Sequence, residues 1–184
     1  MWEVFLYKQI LSEEDIRRTV ARLAHEIVEK NQNIDEIILV GVHTRGVPLA
    51  LRIADEMSRF ENVRPPIGTL DFAFYRDDLG DLPVPPVLKP SDIPMPISDK
   101  TVILVDDVLF TGRSARAAIE ALLEFGRPRL IQLAVLIDRG HRQLPIRPDY
   151  IGKNIPTAMN EKVQVRLSEI DGQNGVYLES ETQA

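Results

Sequence analysis

Residues Val102-Ile103-Leu104-Val105 form an unbroken branched aliphatic run that ends on two adjacent acids, Asp106-Asp107. A segment apolar at every position, not at alternate ones, suits a strand covered on both faces. The small-residue turn Phe110-Thr111-Gly112 then opens a helix that runs through Phe125 and stops at Gly126 and Pro128. A doubly covered strand followed at once by a helix belongs to an open, layered α/β sheet.

The rest of the chain repeats this pattern. Ile37–Val42 is a second continuous apolar run, broken by His43-Thr44-Arg45-Gly46 and followed by a helix over Val47–Phe60, with Pro48 in its first turn. Leu130–Ile137 is a third such strand, Gly68–Tyr75 a weaker one, and Val163–Leu167 precedes a turn at Asp171–Gly175 that joins two final strands. Upstream, Ser12 caps an amphipathic helix over residues 12–30, with Ile16, Val20, Leu23 and Ile27 on one face and Arg18, Arg22 and His25 on the other. Six of the thirteen prolines fall within residues 83–96, a density that excludes a helix or a central strand and leaves a long loop. The expectation is one domain over residues 1–184, an open and mostly parallel sheet flanked by helices. The first helix and residues 138–160 are expected to form a cap on the sheet.

Composition narrows the function classes. With no cysteine, thiol nucleophiles, disulfide frameworks and cysteine-bound zinc are excluded, and a reducing compartment is the natural setting. A net charge of −6 argues against coating nucleic acid or anionic membrane through bulk positive charge. The start Met-Trp-Glu-Val-Phe-Leu-Tyr-Lys lacks the order of a secretory signal, and no apolar run approaches membrane-spanning length, so a cytoplasmic protein without membrane partners is expected.

Open α/β sheets bind ligands at the loops that follow their strands. No two glycines have the spacing of a dinucleotide fingerprint. Gly41 and Gly46 have phosphate-loop spacing, but Val47-Pro48 replaces the Lys-Ser/Thr that would hold phosphate and Mg²⁺. His25-Glu26-Ile27-Val28-Glu29 lacks the second histidine of a zinc protease. Residues 102–114 remain. Free N–H groups at a helix start, with the hydroxyls of Thr111 and Ser114, make a phosphate cradle. Asp106 and Asp107 suit sugar hydroxyls and a Mg²⁺ that keeps most of its waters. A phosphorylated sugar with a metal fits both halves.

Val102 to Ser114 strongly resembles the thirteen-residue PRPP-binding motif of the type I phosphoribosyltransferases. Thr44-Arg45-Gly46-Val47-Pro48-Leu49-Ala50, Tyr75-Arg76-Asp77-Asp78-Leu79, Val135 to Arg142, Leu144-Pro145-Ile146-Arg147 and Tyr150 to Thr157 resemble one branch of that family. Its members are pyrimidine operon attenuators that double as uracil phosphoribosyltransferases. Phe72, Ala73 and Phe74 depart from the branch's pattern, as does the proline-dense stretch after them. The resemblance implies a type I phosphoribosyltransferase fold with a small hood and a flexible lid loop at about residues 75–98. It also implies conversion of uracil and PRPP to UMP and pyrophosphate, with Mg²⁺, through a transition state of oxocarbenium character.

On the same resemblance, Asp106, Asp107, Arg45 and Arg76 are the catalytic residues. Thr44, Arg45, Gly46, the segment Asp106, Asp107, Val108, Leu109, Phe110, Thr111, Gly112, Arg113, Ser114, and Arg139 bind PRPP or UMP. The 5′-phosphate goes to Thr111–Ser114 and the pyrophosphate to Arg45 and backbone near Thr44. Asp106 and Asp107 serve the ribose hydroxyls and Mg²⁺, the metal held directly or through water. Arg76 reaches the leaving charge from the lid, pairing with Asp77 or Asp78 being its alternative. Uracil sits near Ile137–Gly140, and Arg139 either contributes there or pairs with Asp138.

The average charge conceals a local one. Residues 139–153 carry a net +3, and the chain has 16 Arg to 6 Lys. Arginine's planar fork grips phosphates and stacks on bases. The resemblance implies that Arg22, His25, Arg142, Arg147 and Lys153 bind the leader mRNA of the pyrimidine operon when UMP or UTP is present, with RNA-facing residues in a homodimer or higher homo-oligomer. An enzyme without RNA regulation and an RNA-binding nucleotide sensor with negligible turnover are the competing readings.

Overall fold

The apolar runs become the central strands. In this computed structural model, which describes residues 4–78 and 87–182, a five-stranded sheet has the order β3-β2-β4-β5-β6 with every neighbouring pair parallel. Its strands are β2 (Ile37–Val42), β3 (Ile67–Leu70), β4 (Thr101–Leu109), β5 (Leu130–Asp138) and β6 (Tyr150–Asn154). Alternate side chains divide between two cores. Ile37, Leu39, Ile103, Val105, Ala134 and Leu136 face helices α1 (Glu13–Lys30) and α2 (Gly46–Glu61). Ile38, Val40, Val102, Leu104, Leu133 and Val135 face α3 (Arg113–Leu123). Continuous hydrophobicity along β2 and β4 is therefore two period-2 patterns, one for each face.

Helix α1 starts where its sequence dictates. The Ser12 hydroxyl accepts the Asp15 N–H at 3.2 Å, and the Asp15 carboxylate accepts the Ser12 N–H at 2.9 Å, which closes a capping box. Ile16, Val20, Leu23, Ala24 and Ile27 are buried against the sheet. Truncating one of the larger members, such as Leu23→Ala, costs about 2–5 kcal/mol by the usual cavity arithmetic.

The hood is built differently from the expected cap. It is an antiparallel sheet of order β1-β8-β7, made from β1 (Val4–Leu11), β7 (Lys162–Arg166) and β8 (Gly175–Thr182), so the first and last described strands pair. The one-turn helix α4 (Ser168–Asp171), with Gly172 at φ 71° after it, joins β7 to β8. Helix α1 lies on a sheet face beside α2 and is not part of a cap. Residues 138–160 contain β6, the edge strand, which the charged and glycine-containing sequence Tyr150-Ile151-Gly152-Lys153-Asn154 does not announce. The strand expected over Gly68–Tyr75 ends at Leu70, and Ala73–Tyr75 forms a single helical turn packed toward α3.

Of the expected lid, residues 79–86 lie outside the described residues. The segment after them is anchored to the body. Thr69 and Asp92 exchange backbone hydrogen bonds at 2.8 and 2.9 Å, and Ile97 is fully buried.

Candidate active site

The chain leaves β2 toward β3 on one side, whereas β4 lies on the other side of β2. This reversal is the topological switch point of the sheet, where α/β folds open a crevice at the carboxyl ends of their strands. The loop after β2 carries Thr44, Arg45 and Gly46, and the end of β4 carries Asp106 and Asp107. The fold thus brings together the two loops that the sequence singled out.

Their approach is close enough to require glycine. A Cβ on Gly46 would overlap the carbonyl oxygen of Val105, so any other residue would push the two loops apart. Arg45 stands at the cap of α2. Its Nε and Nη2 donate to the two carboxylate oxygens of Asp171 at 3.1 and 2.7 Å. Asp171 Oδ2 also accepts the Leu167 N–H at 2.9 Å. This pair holds the Arg45 guanidinium between the hood and Asp107, in a cavity of about 570 Å³ whose lining includes Val165, Arg166 and Gln173.

Asp106 and Asp107 are neighbouring carboxylates at a strand end. The Asp106 carboxylate accepts the Asp107 N–H at 2.9 Å, and the Asp107 carboxylate accepts the Val108 N–H at 2.8 Å. Burial, then the charge of Asp107, pushes the Asp106 carboxyl well above the usual carboxylate range. Burial also raises Asp107, against the Val108 N–H and the Arg45 guanidinium, which favour its charged form. Two carboxylates strained in this way are suited to a hydrated cation. A cation would relieve the burial cost, and two protein ligands are the usual complement for a Mg²⁺ that otherwise binds water and substrate oxygens. Among the described residues no cluster of three or more acidic, histidine or cysteine side chains offers a fuller cage.

Downstream, Gly112 adopts φ 93° and caps α3. The turn places the start of α3, and the hydroxyls of Thr111 and Ser114, around a small cavity of about 220 Å³. Arg76, Asp77 and Asp78 close its other side. Arg76 is gripped by Asp78 at 2.8 Å from Nε and 2.6 Å from Nη2, and Asp77 pairs with Arg113. The alternative weighed for Arg76, a local acidic partner, is what the geometry displays. Asp77 meanwhile joins the segment after Tyr75 to the start of α3.

A third cavity, of about 480 Å³, opens at the end of β5, with Asp138, His141, Asn154 and Thr157 in its lining. Arg139 is 7% exposed and lies with its guanidinium 4.0 Å from the centre of the Phe110 ring. It donates to Thr157 Oγ1 and the Ala158 carbonyl, each at 3.1 Å. It does not pair with Asp138, which is taken by Arg142. Burial pulls the Arg139 guanidinium below its ordinary value. Val108 and Leu109 are backbone members of the strand end, Leu109 being 4% exposed.

The residues expected to face RNA divide into two groups. Arg22, His25, Arg147 and Lys153 are exposed, and Arg142 is half-buried. Arg22 pairs with Glu26 and donates to the Ile151 and Gly152 carbonyls of β6, and His25 stacks on Phe60 with ring centres 3.9 Å apart. Arg142 turns inward, its guanidinium engaged by three carbonyls and one carboxylate. Asp171, Arg166, Gln173, Asn154 and Thr157 line the cavities but were not singled out by sequence. Asp171, Arg166 and Gln173 reach the site through the hood, which no local motif marks, whereas Asn154 and Thr157 lie in the segment Tyr150 to Thr157 that carries the resemblance.

A parallel sheet with an antiparallel hood, a strand–acid pair–turn–helix at the switch point and an arginine loop facing it define a type I phosphoribosyltransferase. Consistent with that class, the model of the phosphoribosyl transferase domain matches residues 7–169. The hypoxanthine phosphoribosyltransferase of Trypanosoma cruzi superposes with a TM-score of 0.71 over 95% of this chain and 97% of that one, at 18% identity, a likeness of fold alone. Within the class, the chain belongs to the family of the bifunctional protein PyrR. It is 56% identical over 172 residues to that protein of Roseiflexus sp., covering 93% of this chain and 94% of the relative. It is 53% identical over 169 residues to that of Deinococcus radiodurans, covering 92% of each.

Proposed function

We propose that this chain, as a single domain, transfers the phosphoribosyl group of PRPP to uracil, giving UMP and pyrophosphate. We propose further that it binds the leader RNA of pyrimidine biosynthetic genes in response to UMP or UTP, in the cytoplasm and as a homodimer or higher homo-oligomer. The carrying observation is that three cavities lie at the carboxyl ends of the neighbouring strands β2, β4 and β5. The turn before α3 suits the 5′-phosphate, the Arg45–Asp107 cavity suits the pyrophosphate, and the cavity at the end of β5 suits the base. Among the described residues no helix is long and apolar enough to cross a membrane.

In this reading the protein acts mainly by holding substrates in line and by stabilising the charge that leaves. The N–H groups at Gly112–Ser114 and the hydroxyls of Thr111 and Ser114 fix the 5′-phosphate. Arg45, kept in place by Asp171, meets the leaving pyrophosphate beside Thr44 and Gly46. Asp106 and Asp107 orient the ribose hydroxyls and are the residues that would hold Mg²⁺, which when bound would neutralise charge on the diphosphate. Arg139, fixed on the Phe110 ring, presents a rigid cation beside the base cavity.

Incubating the protein with PRPP, Mg²⁺ and each nucleobase in turn tests the reading. UMP from uracil, without nucleotide from hypoxanthine, guanine or orotate, is the expected result. A purine nucleotide, or no product from any base, overturns it. For the regulatory half, retention of a pyrimidine-operon leader RNA in a gel shift with UMP is expected, and its absence at low salt leaves an enzyme alone. The inward engagement of Arg142 favours that second reading, whereas the exposed Arg22, His25, Arg147 and Lys153 favour the first.

A further inference from the structure

Arg142 makes the most widely connected set of contacts of any side chain around the base cavity. Its Nη1 donates to the Phe110 carbonyl at 2.6 Å and the Gly140 carbonyl at 3.3 Å. Its Nε donates to the Ile146 carbonyl at 3.0 Å, and Nη2 pairs with the Asp138 carboxylate. These partners belong to three different segments. Phe110 precedes the phosphate turn, Asp138 ends β5 and lines the base cavity, and Ile146 is the neighbour of the exposed Arg147. Three further bonds run parallel to them. The Thr111 carbonyl accepts the N–H groups of Gln143 at 2.9 Å and Leu144 at 3.2 Å. The other oxygen of Asp138 accepts the Gly140 N–H at 2.9 Å.

We propose that Arg142 is a positioning residue that couples nucleotide occupancy of the active site to the conformation of the segment at residues 143–147, which carries Arg147. The inference rests on the RNA-binding half of the proposed function and adds how the site would regulate it. Nucleotide phosphate on the turn acts on the backbone of Phe110 and Thr111, and a pyrimidine in the cavity acts on Asp138 and Gly140. Both sets of groups hold Arg142, and Arg142 holds the carbonyl next to Arg147. A half-buried guanidinium with its donors committed in divergent directions cannot also grip a phosphate. Only arginine has the planar fork to span these acceptors. Lysine keeps the charge but directs its donors from one point. Coupling of this kind is reciprocal: if UMP tightens RNA by some factor, RNA tightens UMP by the same factor.

The experiment uses the full chain, UMP and a leader RNA of a pyrimidine operon. RNA affinity is measured with and without UMP, and UMP affinity with and without RNA, for wild type, Arg142→Lys, Arg142→Gln and Arg147→Ala. Circular dichroism identifies any variant that fails to fold, and the two Arg142 variants back each other up. Wild type is expected to show a coupling factor of roughly 5–150 in both directions. The Arg142 variants bring that factor close to one. Arg147→Ala weakens RNA binding equally with and without UMP and keeps the factor. It also lowers the slope of log affinity against log salt by about one, as loss of a phosphate contact does, whereas Arg142→Gln leaves the UMP-free slope at the wild-type value. A wild-type coupling factor in both Arg142 variants overturns the proposal. So does an equal loss of RNA with and without UMP in Arg142→Gln, which would mark a direct contact. A wild type that retains no RNA under either condition removes the RNA reading itself. A wild type that binds RNA without responding to UMP removes only the coupling.

Discussion

Arg45 and Asp171 are 126 residues apart in sequence and form a two-point ion pair across the mouth of the active site, joining the loop after β2 to the helical turn of the hood. Arg45 is the residue read as meeting pyrophosphate, and Asp171 occupies its guanidinium as an anion would. The pair fixes the height of the hood above Asp107 and fixes the arginine before any substrate arrives.

Asp171→Asn is therefore expected to act on both stability and binding. The part-buried, two-point pair contributes about 1 kcal/mol at neutral pH. Arg45 holds the Asp171 carboxyl below its ordinary value of 3.8. A carboxylate depressed in the folded state stabilises the fold above its unfolded pKa, and the contribution fades as pH falls through the lower folded value. Urea midpoints should thus separate wild type from Asp171→Asn at pH 7 and converge once the pH has fallen through the lowered folded-state range of Asp171. With the arginine no longer pre-positioned, KM for PRPP should rise several-fold. Equal midpoints at pH 7 together with an unchanged KM would deny the pair any role.

Asp106 and Asp107 make the opposite case, of charge held at a cost. Both carboxyls are raised by burial, and each is the other's neighbour. Replacing both with Asn should largely abolish UMP formation, by about 100-fold or more for groups that orient the reacting sugar and its counter-charge. It should leave the fold intact, and the thermal midpoint at pH 7 should hold or rise as the repulsion disappears. Mg²⁺ with PRPP should raise the midpoint of wild type and have much less effect on the double variant. Turnover like that of wild type would remove these residues from the site.

The separation of local from long-range information explains how much of this was legible in the sequence. Strands β2, β4 and β5 declare themselves because a doubly buried strand is apolar throughout; α1 carries its own capping signal, α2 has Pro48 in its first turn, and α3 is followed by Gly126 and Pro128. The acid pair and the phosphate turn are contiguous, so one motif carries them. Strand β6 was missed because an edge strand needs one covered face only, and Tyr150 alone of its five residues is buried. Strand β1 pairs with β8, more than 160 residues away, and nothing local predicts that pairing. The sequence sets Arg142 among the RNA-facing residues, yet its guanidinium turns inward, a direction that depends on carbonyls of Phe110 and Ile146 that carry no side-chain signature. The hood's Asp171 was legible only as part of a turn.

Two glycines at the site should fail in different ways. Gly46→Ala places a methyl group against the Val105 carbonyl with backbone on both sides. Overpacking of that kind costs about 1–3 kcal/mol, and relief comes only by moving the arginine loop away from Asp106. Gly112→Ala meets only ordinary contacts with Leu144 and Ile146, but it must hold φ 93°, which costs about 1 kcal/mol. Chemical denaturation should rank Gly46→Ala as the more damaging. PRPP affinity should fall in both, and a Gly46→Ala protein with wild-type stability would contradict the close approach.

Arg76 offers the clearest separation of ground state from transition state. Its guanidinium is paired with Asp78 and stands at the edge of the phosphate cavity, while the neighbouring Asp77 holds Arg113 on the phosphate turn. If Arg76 meets the leaving charge only once the lid closes, it contributes nothing to PRPP binding in the open form and must exchange Asp78 for that charge as the bond breaks. Arg76→Ala should then lower kcat by about 100-fold while leaving KM for PRPP within a small factor, the signature of an interaction made only in the transition state. Asp78→Asn tests the exchange from the other side. It loosens the clasp without removing the arginine, so kcat should be kept or raised, and pairing Asp78→Asn with Arg76→Ala should give the kcat of Arg76→Ala alone. A rise in KM with kcat unchanged in Arg76→Ala would place Arg76 in ordinary substrate binding. No kinetic change at all would leave it as a surface residue held by its neighbouring acid.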